Sequence, residues 1–485
     1  MTGICSYGGY VPRYRLNRKE IFEQVGWVNQ ATIGYTRGEK AVCNFDEDSI
    51  TMAVAAGIDS LAGFDRTRIK GLFFASTSMP YKERLNAGIV KEALGISDQV
   101  RAADFSGSIK AGTTALLSAL GDVESKYLDN VMVCASDCRL GKPSSPQEMI
   151  CGDAAAAFVV GRDDVIAEFE GSFSTTYDFV DHYRGDASLY DRQWEERWVR
   201  DLGIDLMISE TISGLLKKYN IRACDFTKVV YPCIYPGVRK KLNSALGISP
   251  KADQDNLQAE IGETGAAHPL VMLASVLDQS KPGDRILLAG FGSGCDALCF
   301  RVTENIRNLS HRKGITGFLK EKAELDNYTK YLAWRGILPV DTGMRSEEDE
   351  PTRWSVLWRK RKEITGLWGN RCKRCGTAQY PQQRICVNPE CQAADEMEDY
   401  LFSDKTGRIA SFTGDMLAPS LNPPAVYGQV EFDGGGKYLF DFTDCNLETI
   451  KTGMPVFMSF RRKYRDEKRK ISGYFWKAVP RIEEE

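Results

Sequence analysis

The sequence predicts an α/β domain over roughly its first three hundred residues, followed by a zinc ribbon and a small OB-like β-barrel. Three observations predict it. Strand-like apolar runs alternate with helical ones as far as residue 302. Four cysteines cluster between residues 372 and 391. Beyond that cluster only short strand-like runs follow, separated by turn residues.

In the first part, IKGLFFAST (69–77), NVMVCASD (130–137), AAAAFVVG (154–161), TKVVYPCIY (227–235), RILLAGFGSG (285–294) and ALCFRV (297–302) read as strands. Between them TMAVAAGIDSLAG (51–63), KAGTTALLSALGDVESKYL (110–128) and LVMLASVLDQS (270–280) carry helical patterns. The order strand, helix, strand, strand pair recurs in each half, which predicts a pseudo-duplication without repeated residues. Residues 306–352 form a polar, partly helical connector ending in the acidic SEEDEP (346–351). RWSVLWRKRKEITGLW (353–368) is helical and opens a helix-and-ribbon segment over 353–396. The connector is too rich in Trp and Tyr for a free linker.

Composition narrows the function classes. At 485 residues the chain is long enough for two or three domains. A net charge of −3 gives no global attraction for nucleic acid or an anionic membrane. No apolar run reaches the roughly 18 residues that span a bilayer, and the first residues lack a signal-peptide core. Ten of the 14 cysteines are scattered through apolar runs, the pattern of reduced core thiols in a cytoplasmic protein.

The remaining four point to metal. In RCKRCGTAQYPQQRICVNPEC (371–391), Cys372 and Cys375 form a CxxC, and Cys386 and Cys391 make a second pair. Each pair sits in a turn, with Gly376 after the first and Asn388-Pro389 inside the second. Two such knuckles bring four thiolates to the corners of a tetrahedron, the geometry Zn²⁺ prefers, and leave no open position for catalysis. A redox dithiol is the competing reading, but Cys375-Gly376 runs into extended chain rather than opening a helix. After the ribbon, residues 407–414, 425–435, 437–442, 454–465 and 469–480 read as five strands of an OB-like barrel spanning 397–485. The basic run RRKYRDEKRK (461–470) mixes in acids and has one aromatic, Tyr464, so it reads as a solvated hairpin, not a nucleic-acid groove.

An ordered set of strings makes the first 305 residues resemble 3-hydroxy-3-methylglutaryl-CoA synthase, a thiolase-superfamily enzyme. These are GYVPRYRL (9–16), DEDSITMAVAAG (46–57), ADFSGSIKAGTTAL (103–116), NVMVCASDCR (130–139), CGDAAAAFVVG (151–161), IGETGAAHPLVMLASVLD (261–278) and LLAGFGSGCDALCF (287–300). The ribbon and the terminal GYFWKAVP resemble the zinc-ribbon/OB accessory domain that accompanies many thiolase-fold proteins. The resemblance implies a five-layered thiolase-like fold, an acyl-CoA substrate, a homodimer through the first domain and room for a further thiolase-type subunit.

The same resemblance exposes a departure. The family's acylated cysteine falls at Ile109, its glutamate at Thr77, its histidine at Pro232 and the asparagine after Gly262 at Glu263. Isoleucine cannot hold an acyl group, so Claisen transfer through an acyl-enzyme is excluded. Aldol or retro-aldol chemistry next to a thioester needs only hydrogen-bond donors and a base. The buried helix start at 107–112 and the GFGSG turn offer donors. Glu263 is the first candidate base, with pairing to a nearby Arg or Lys as the equal alternative. His268 and His182 follow, His268 with the alternative of a satisfied core residue, and then Tyr235, with Tyr231 beside it, against a packing role. Ser106 and Ser108 lack a histidine base; Cys295 is a displaced-nucleophile candidate and Cys299 reads as core. Arg239, Lys240 and Lys241 are the expected contacts for coenzyme A phosphates, with Gly292, Ser293 and Gly294 as further cofactor contacts. Two other functions compete: a silent acyl-CoA-binding subunit that scaffolds a partner enzyme, and a cysteine-independent acyltransferase.

Overall fold

A computed structural model describes residues 1–342 and 350–481, so most of the acidic stretch 346–351 lies outside the described residues. The chain divides into two compact units. The first comprises residues 1–43, 48–88 and 97–328, and the second residues 44–47, 89–96 and 329–485.

The first half of unit one holds β1 (Gly3–Tyr10), α1 (Ser49–Ser60), β2 (Gly71–Ala75), β3 (Arg101–Phe105), α2 (Ala111–Glu124), β4 (Val131–Asp137) and β5 (Ala154–Gly161). The second half holds β6 (Ala167–Thr176), α3 (Ile208–Tyr219), β7 (Lys228–Val230), α4 (Pro236–Leu246), α5 (His268–Leu277), β8 (Arg285–Phe291) and β9 (Gly294–Val302). The strands run in the order β3-β2-β4-β5-β1-β6-β9-β8-β7. In each half a parallel pair is followed by antiparallel neighbours: β2 with β4 and β4 with β5, then β7 with β8 and β8 with β9. The halves meet where Gly3 and Ile4 of β1 pair with Glu168 and Ala167 of β6.

Five layers follow from the packing. Helix α1 lies on β1, β4 and β5, and α3 lies on β6, β8 and β9. Helices α2 and α5 contact each other and strands of both halves, forming the central layer. Strands β4 and β5 are buried at every residue, as double coverage by helices requires. The start of α2 lies against the segment leading into α5. A Cβ at Gly112 would stand 2.2 Å from the carbonyl oxygen of Ala266, so only glycine allows this approach.

Ahead of the ribbon, unit two carries two short helices, Trp354–Arg359 and Arg361–Ile364, where the sequence predicts one longer helix. The break falls at Lys360, amid a run of like-charged Arg and Lys side chains that disfavour one another along a helix. Strands β10 (Trp368–Cys372), β11 (Ala378–Gln379) and β12 (Met397–Leu401) form the ribbon sheet. Then β13 (Gly407–Asp415), β14 (Ala425–Phe432), β15 (Lys437–Asp441), β16 (Pro455–Asp466) and β17 (Ile471–Pro480) pair in the order β15-β14-β13-β16-β17. The Phe442–Ala478 bridge brings the two outer strands together, which curls the sheet toward a barrel. Within this unit the fully buried Arg461 takes Glu47 at 2.6 Å, Asp46 at 3.3 Å and Asp444 at 2.5 Å. No helix among the described residues is long and apolar enough to cross a membrane.

Candidate active site and cysteine cluster

The cavity of interest lies in unit one, where loops after several strands converge, the usual position for sites in α/β folds. Its apolar wall comprises Ile109, Ile150, Val199, Ile204, Ile234 and Phe291. Its polar wall comprises Arg139, Gln147, Asp181, His182, Gln193 and Glu263. Two thiols, Cys151 and Cys233, also face it, as does Pro232.

Ile109 reaches the wall from the turn that opens α2. That turn is fixed by Ser108, whose Oγ donates to the carbonyl of Gly292 at 2.9 Å. A Cβ on Gly292 would lie 2.5 Å from the same Oγ, so the glycine turn can press against the helix start. Four of the backbone donors expected here are already engaged. Lys110 N–H donates to Ser108 Oγ, Ala111 N–H to Ser108 O, Gly292 N–H to Gly294 O, and Ser293 N–H to Asp181. Gly292, Ser293 and Gly294 therefore do not line the cavity as cofactor contacts; their turn braces Ser108 and Asp181.

Glu263 meets the cavity, but as a charge partner. Its Oε2 takes Arg139 Nη1 at 2.6 Å, and its Oε1 accepts from the N–H of Gly265 at 2.8 Å. Arg139 is buried and reaches Asp191 through Nε at 2.5 Å. Asp191 also takes Arg184 at 3.0 Å, and Arg184 donates to the carbonyl of Thr77. Burial alone would push the Asp191 carboxyl up, but Arg139 and Arg184 outweigh it and hold the group below the ordinary carboxylate value. Of the two readings the sequence left for Glu263, the structure shows the ion pair.

The cavity's histidine is His182. Its Nδ1 lies 2.6 Å from Asp181 Oδ2. Asp181 is itself fixed by Ser293, whose N–H and Oγ each reach Oδ1 at 3.2 Å. Although burial opposes ionisation, the His182 hydrogen bond and charge keep the Asp181 carboxyl low. With Nδ1 held, Nε2 is the nitrogen left for a ligand.

Other expected residues lie elsewhere. His268 is fully buried in α5, its Nδ1 accepting from Thr264 N–H at 3.0 Å and its Nε2 donating to Asn256 O at 2.8 Å. Burial drives its pKa down, so it is a neutral clamp on the segment bearing Glu263, not an acid or base. Tyr235 precedes α4 and packs against the hydrophobic cluster of Val199, Ile204 and Phe291 without lining the cavity. Tyr231 is buried and donates to Asn243 at 2.6 Å. Arg239 cannot serve phosphates: it is buried, paired with Asp253 at 2.5 Å, and donates to the carbonyls of Tyr231 and Gln254 at 2.7 Å each. Lys241 pairs with Asp205 at 2.5 Å, and Lys240 is exposed. Cys295 and Cys299 are core thiols that burial pushes up to about 12, which removes Cys295 as a nucleophile. Thr77 is bound to Asp137, with its Oγ1 at 2.9 Å and its N–H at 2.7 Å.

Four polar cavity residues, Arg139, Gln147, Asp181 and Gln193, escaped the sequence reading. Asp181 stands beside His182, where an acid next to histidine was the available signal. Arg139 closes the apolar strand-like run NVMVCASDCR, and a charge at the end of a buried strand is a marker of a site in this fold class. Gln193 carried no signal, because its place depends on the loop 177–193 folding back onto Arg139.

In unit two, Cys372, Cys375, Cys386 and Cys391 place their sulfurs within 4.8 Å of one another. Cys372 and Cys391 are 3.8 Å apart and Cys375 and Cys386 3.5 Å. A tetrahedron with Zn–S bonds of about 2.3 Å has edges of about 3.8 Å, so this donor set fits zinc.

Comparison with known proteins matches this architecture. The hydroxymethylglutaryl-CoA synthase of Pyrobaculum aerophilum is 33% identical over 349 residues, covering 70% of this chain and 99% of the relative. That of Thermococcus gammatolerans is 33% identical over 345 residues, covering 69% and 95%. The chain belongs to the hydroxymethylglutaryl-CoA synthase family. Among solved structures, an HMG-CoA synthase complexed with CoA superposes with a TM-score of 0.61 at 18% identity, covering 72% of this chain and 95% of that one. The OleA of Xanthomonas campestris superposes at 0.55 with 20% identity, covering 62% and 98%. Both share the thiolase-like fold of unit one. Residues 402–461 match the family described as the ChsH2 C-terminal OB-fold domain, so this synthase-family chain carries an OB-fold domain fused behind its thiolase-like one.

Proposed function

We propose that this family member makes or breaks a carbon–carbon bond beside an acyl-CoA thioester by aldol-type chemistry, without an acyl-enzyme. The observation that carries the proposal is one cavity that pairs an aliphatic wall at Ile109 with an Asp181–His182 dyad. Ile109 occupies the place that the family resemblance gives to the acylated cysteine. Relatives named as hydroxymethylglutaryl-CoA synthases, and a structural neighbour bound to CoA, support a CoA thioester as substrate.

In the cleavage direction, Nε2 of His182 takes the proton of the substrate's β-hydroxyl. The carbonyl forms as the α–β carbon bond breaks, and the bonding pair moves into the thioester as an enolate. Gln193, whose side-chain oxygen accepts from the Gln147 amide at 3.2 Å, has its own amide to donate to the thioester oxygen. The enolate is reprotonated at its α-carbon, giving a shorter acyl-CoA and a free carbonyl compound; addition runs the same steps backwards. Asp181 orients the ring and stabilises the imidazolium, as a buried carboxylate does for any catalytic histidine. The two cavity thiols support this route, because burial pushes Cys151 up to about 12 and raises Cys233, leaving neither as a ready nucleophile.

The four-cysteine cluster holds structural Zn²⁺ in this reading, with Cys372, Cys375, Cys386 and Cys391 as its ligands. The reaction is tested by incubating the full chain with a panel of β-hydroxyacyl-CoAs and separating products by mass. A shorter acyl-CoA and a carbonyl product in equal amounts are expected. Absence of any carbon–carbon cleavage or addition across the panel, with CoA thioesters still binding, refutes the aldol reading and leaves a silent binding subunit.

A further inference from the structure

We infer that the acyl group this cavity accepts is an uncharged hydrocarbon, and that a tail ending in a carboxylate is excluded. The inference rests on the acyl-CoA reading above and narrows its substrate class. Ile109, Ile150, Val199, Ile204, Ile234 and Phe291 all line the cavity with aliphatic and aromatic surface. Val199, Ile204 and Phe291 are buried members of the hydrophobic cluster that also holds Ile208, Ile212 and Leu215, so this part of the wall is the face of a packed interior. A methylene chain laid against it is removed from water at no polar cost.

The charges facing the cavity point the same way. Among the described residues its walls include one arginine, Arg139, and no lysine. Arg139 is already matched by two carboxylates, Glu263 at 2.6 Å and Asp191 at 2.5 Å. Glu263 and Asp181 themselves line the cavity, so its formal charge is negative with His182 neutral and no better than zero with His182 protonated. A carboxylate brought in here would lose its water, meet two like charges and find the guanidinium engaged. The polar edge suits a different group. A β-hydroxyl and a thioester oxygen are neutral and need only an acceptor and a donor, which His182 and Gln193 supply.

The test uses unreactive CoA thioethers and isothermal titration calorimetry on the full chain. S-pentyl-CoA and S-(3-carboxypropyl)-CoA have tails of similar length and differ in the terminal charge. The pentyl tail is expected to bind more tightly by ~30-fold or more, since the carboxylate is buried without a free partner. Equal affinity, or tighter binding of the carboxypropyl tail, overturns the inference, as does binding of neither tail more tightly than CoA itself. A second arm uses Glu263→Gln, which removes one of Arg139's two counter-charges. In that variant the pentyl preference is expected to narrow by ~10-fold; an unchanged preference shows that Arg139 and Glu263 do not set the charge selectivity. Strong pentyl binding without any turnover fails the aldol reading and leaves the tail inference standing.

Discussion

Replacing Arg139 with methionine should destabilise unit one by about 3–5 kcal/mol at neutral pH, the cost of removing one partner from a buried ion pair. The size follows from what the guanidinium holds. It lies buried between Asp191 at 2.5 Å and Glu263 at 2.6 Å, and Asp191 is itself among the buried side chains. Methionine of similar length fills the space, so the loss is electrostatic and leaves no large void. The pH dependence carries a sign. Asp191 is held below its ordinary value in the folded state, so it contributes stability above the unfolded carboxylate pKa, and that stability fades as pH falls through the folded value. In Arg139→Met that contribution is missing, so the gap between wild type and variant should be widest near pH 7 and shrink once the pH drops below about 4. Hydrogen exchange of the amides of Ala154–Gly161, read by mass spectrometry, reports opening of this unit alone, independent of the second. A loss under about 1 kcal/mol, or a gap that fails to shrink as the pH is lowered from about 4 to about 2, would refute the reasoning.

Three further outcomes rest on named contacts. His182→Gln should lower turnover ~100-fold or more while S-pentyl-CoA affinity shifts less than about threefold, since the imidazole moves a proton and does not anchor the tail; a parallel loss of affinity in calorimetry would contradict this. Incubation with acetyl-CoA should leave the protein mass unchanged, because Ile109 has no nucleophile and burial pushes Cys151 up to about 12; an acetyl adduct on Cys151, Cys233 or Ser108 would restore an acyl-enzyme route. Metal analysis of unchelated protein should find one zinc per chain, and Cys375→Ala should unfold the ribbon, since such sites contribute on the order of 10 kcal/mol.

Much of the fold was legible because its signals are local. The buried runs 130–137 and 154–161 are apolar at nearly every position, and strands covered on both faces read that way. The four cysteines identify their own cluster by spacing. Strand Ala167–Thr176 was missed because Glu168, Glu170 and Ser172 interrupt its apolar pattern; Glu170 spends its charge on Arg285 at 2.5 Å and Arg301 at 2.8 Å, both distant in sequence. The site was less legible for the same reason. Lys and Arg in GVRKKLN look like phosphate contacts in one dimension, whereas Arg239 turns inward to Asp253, a choice set by a loop fourteen residues on. His268 and His182 are equally suggestive as letters, and only burial separates a clamp from a cavity residue.

On the proposed reading, loss of the nucleophile and the choice of substrate have a common physical basis. A cysteine at the start of α2 would need a cation or a base beside it to ionise. Here the nearest charges are committed: Lys110 to Asp296 at 3.6 Å and to the carbonyl of Thr175, and Arg139 to Glu263 and Asp191. Under the proposed reading, isoleucine in that position removes the covalent intermediate and adds a branched aliphatic side chain to the wall where the acyl tail lies. The charges that might have activated a thiolate instead hold three chain segments together, through Arg139 after β4, Asp191 in the loop bearing His182, and Glu263 before α5. On that reading catalysis falls to His182, whose Asp181 partner is positioned by the glycine turn that also supports Ile109. Restoring a cysteine alone, as Ile109→Cys, would therefore place a thiol against an apolar wall with Lys110 and Arg139 already committed to carboxylates. Incubated with acetyl-CoA at neutral pH and weighed by mass spectrometry, that variant should stay unacylated; a stoichiometric acetyl adduct on residue 109 would show that the surroundings still activate a thiolate.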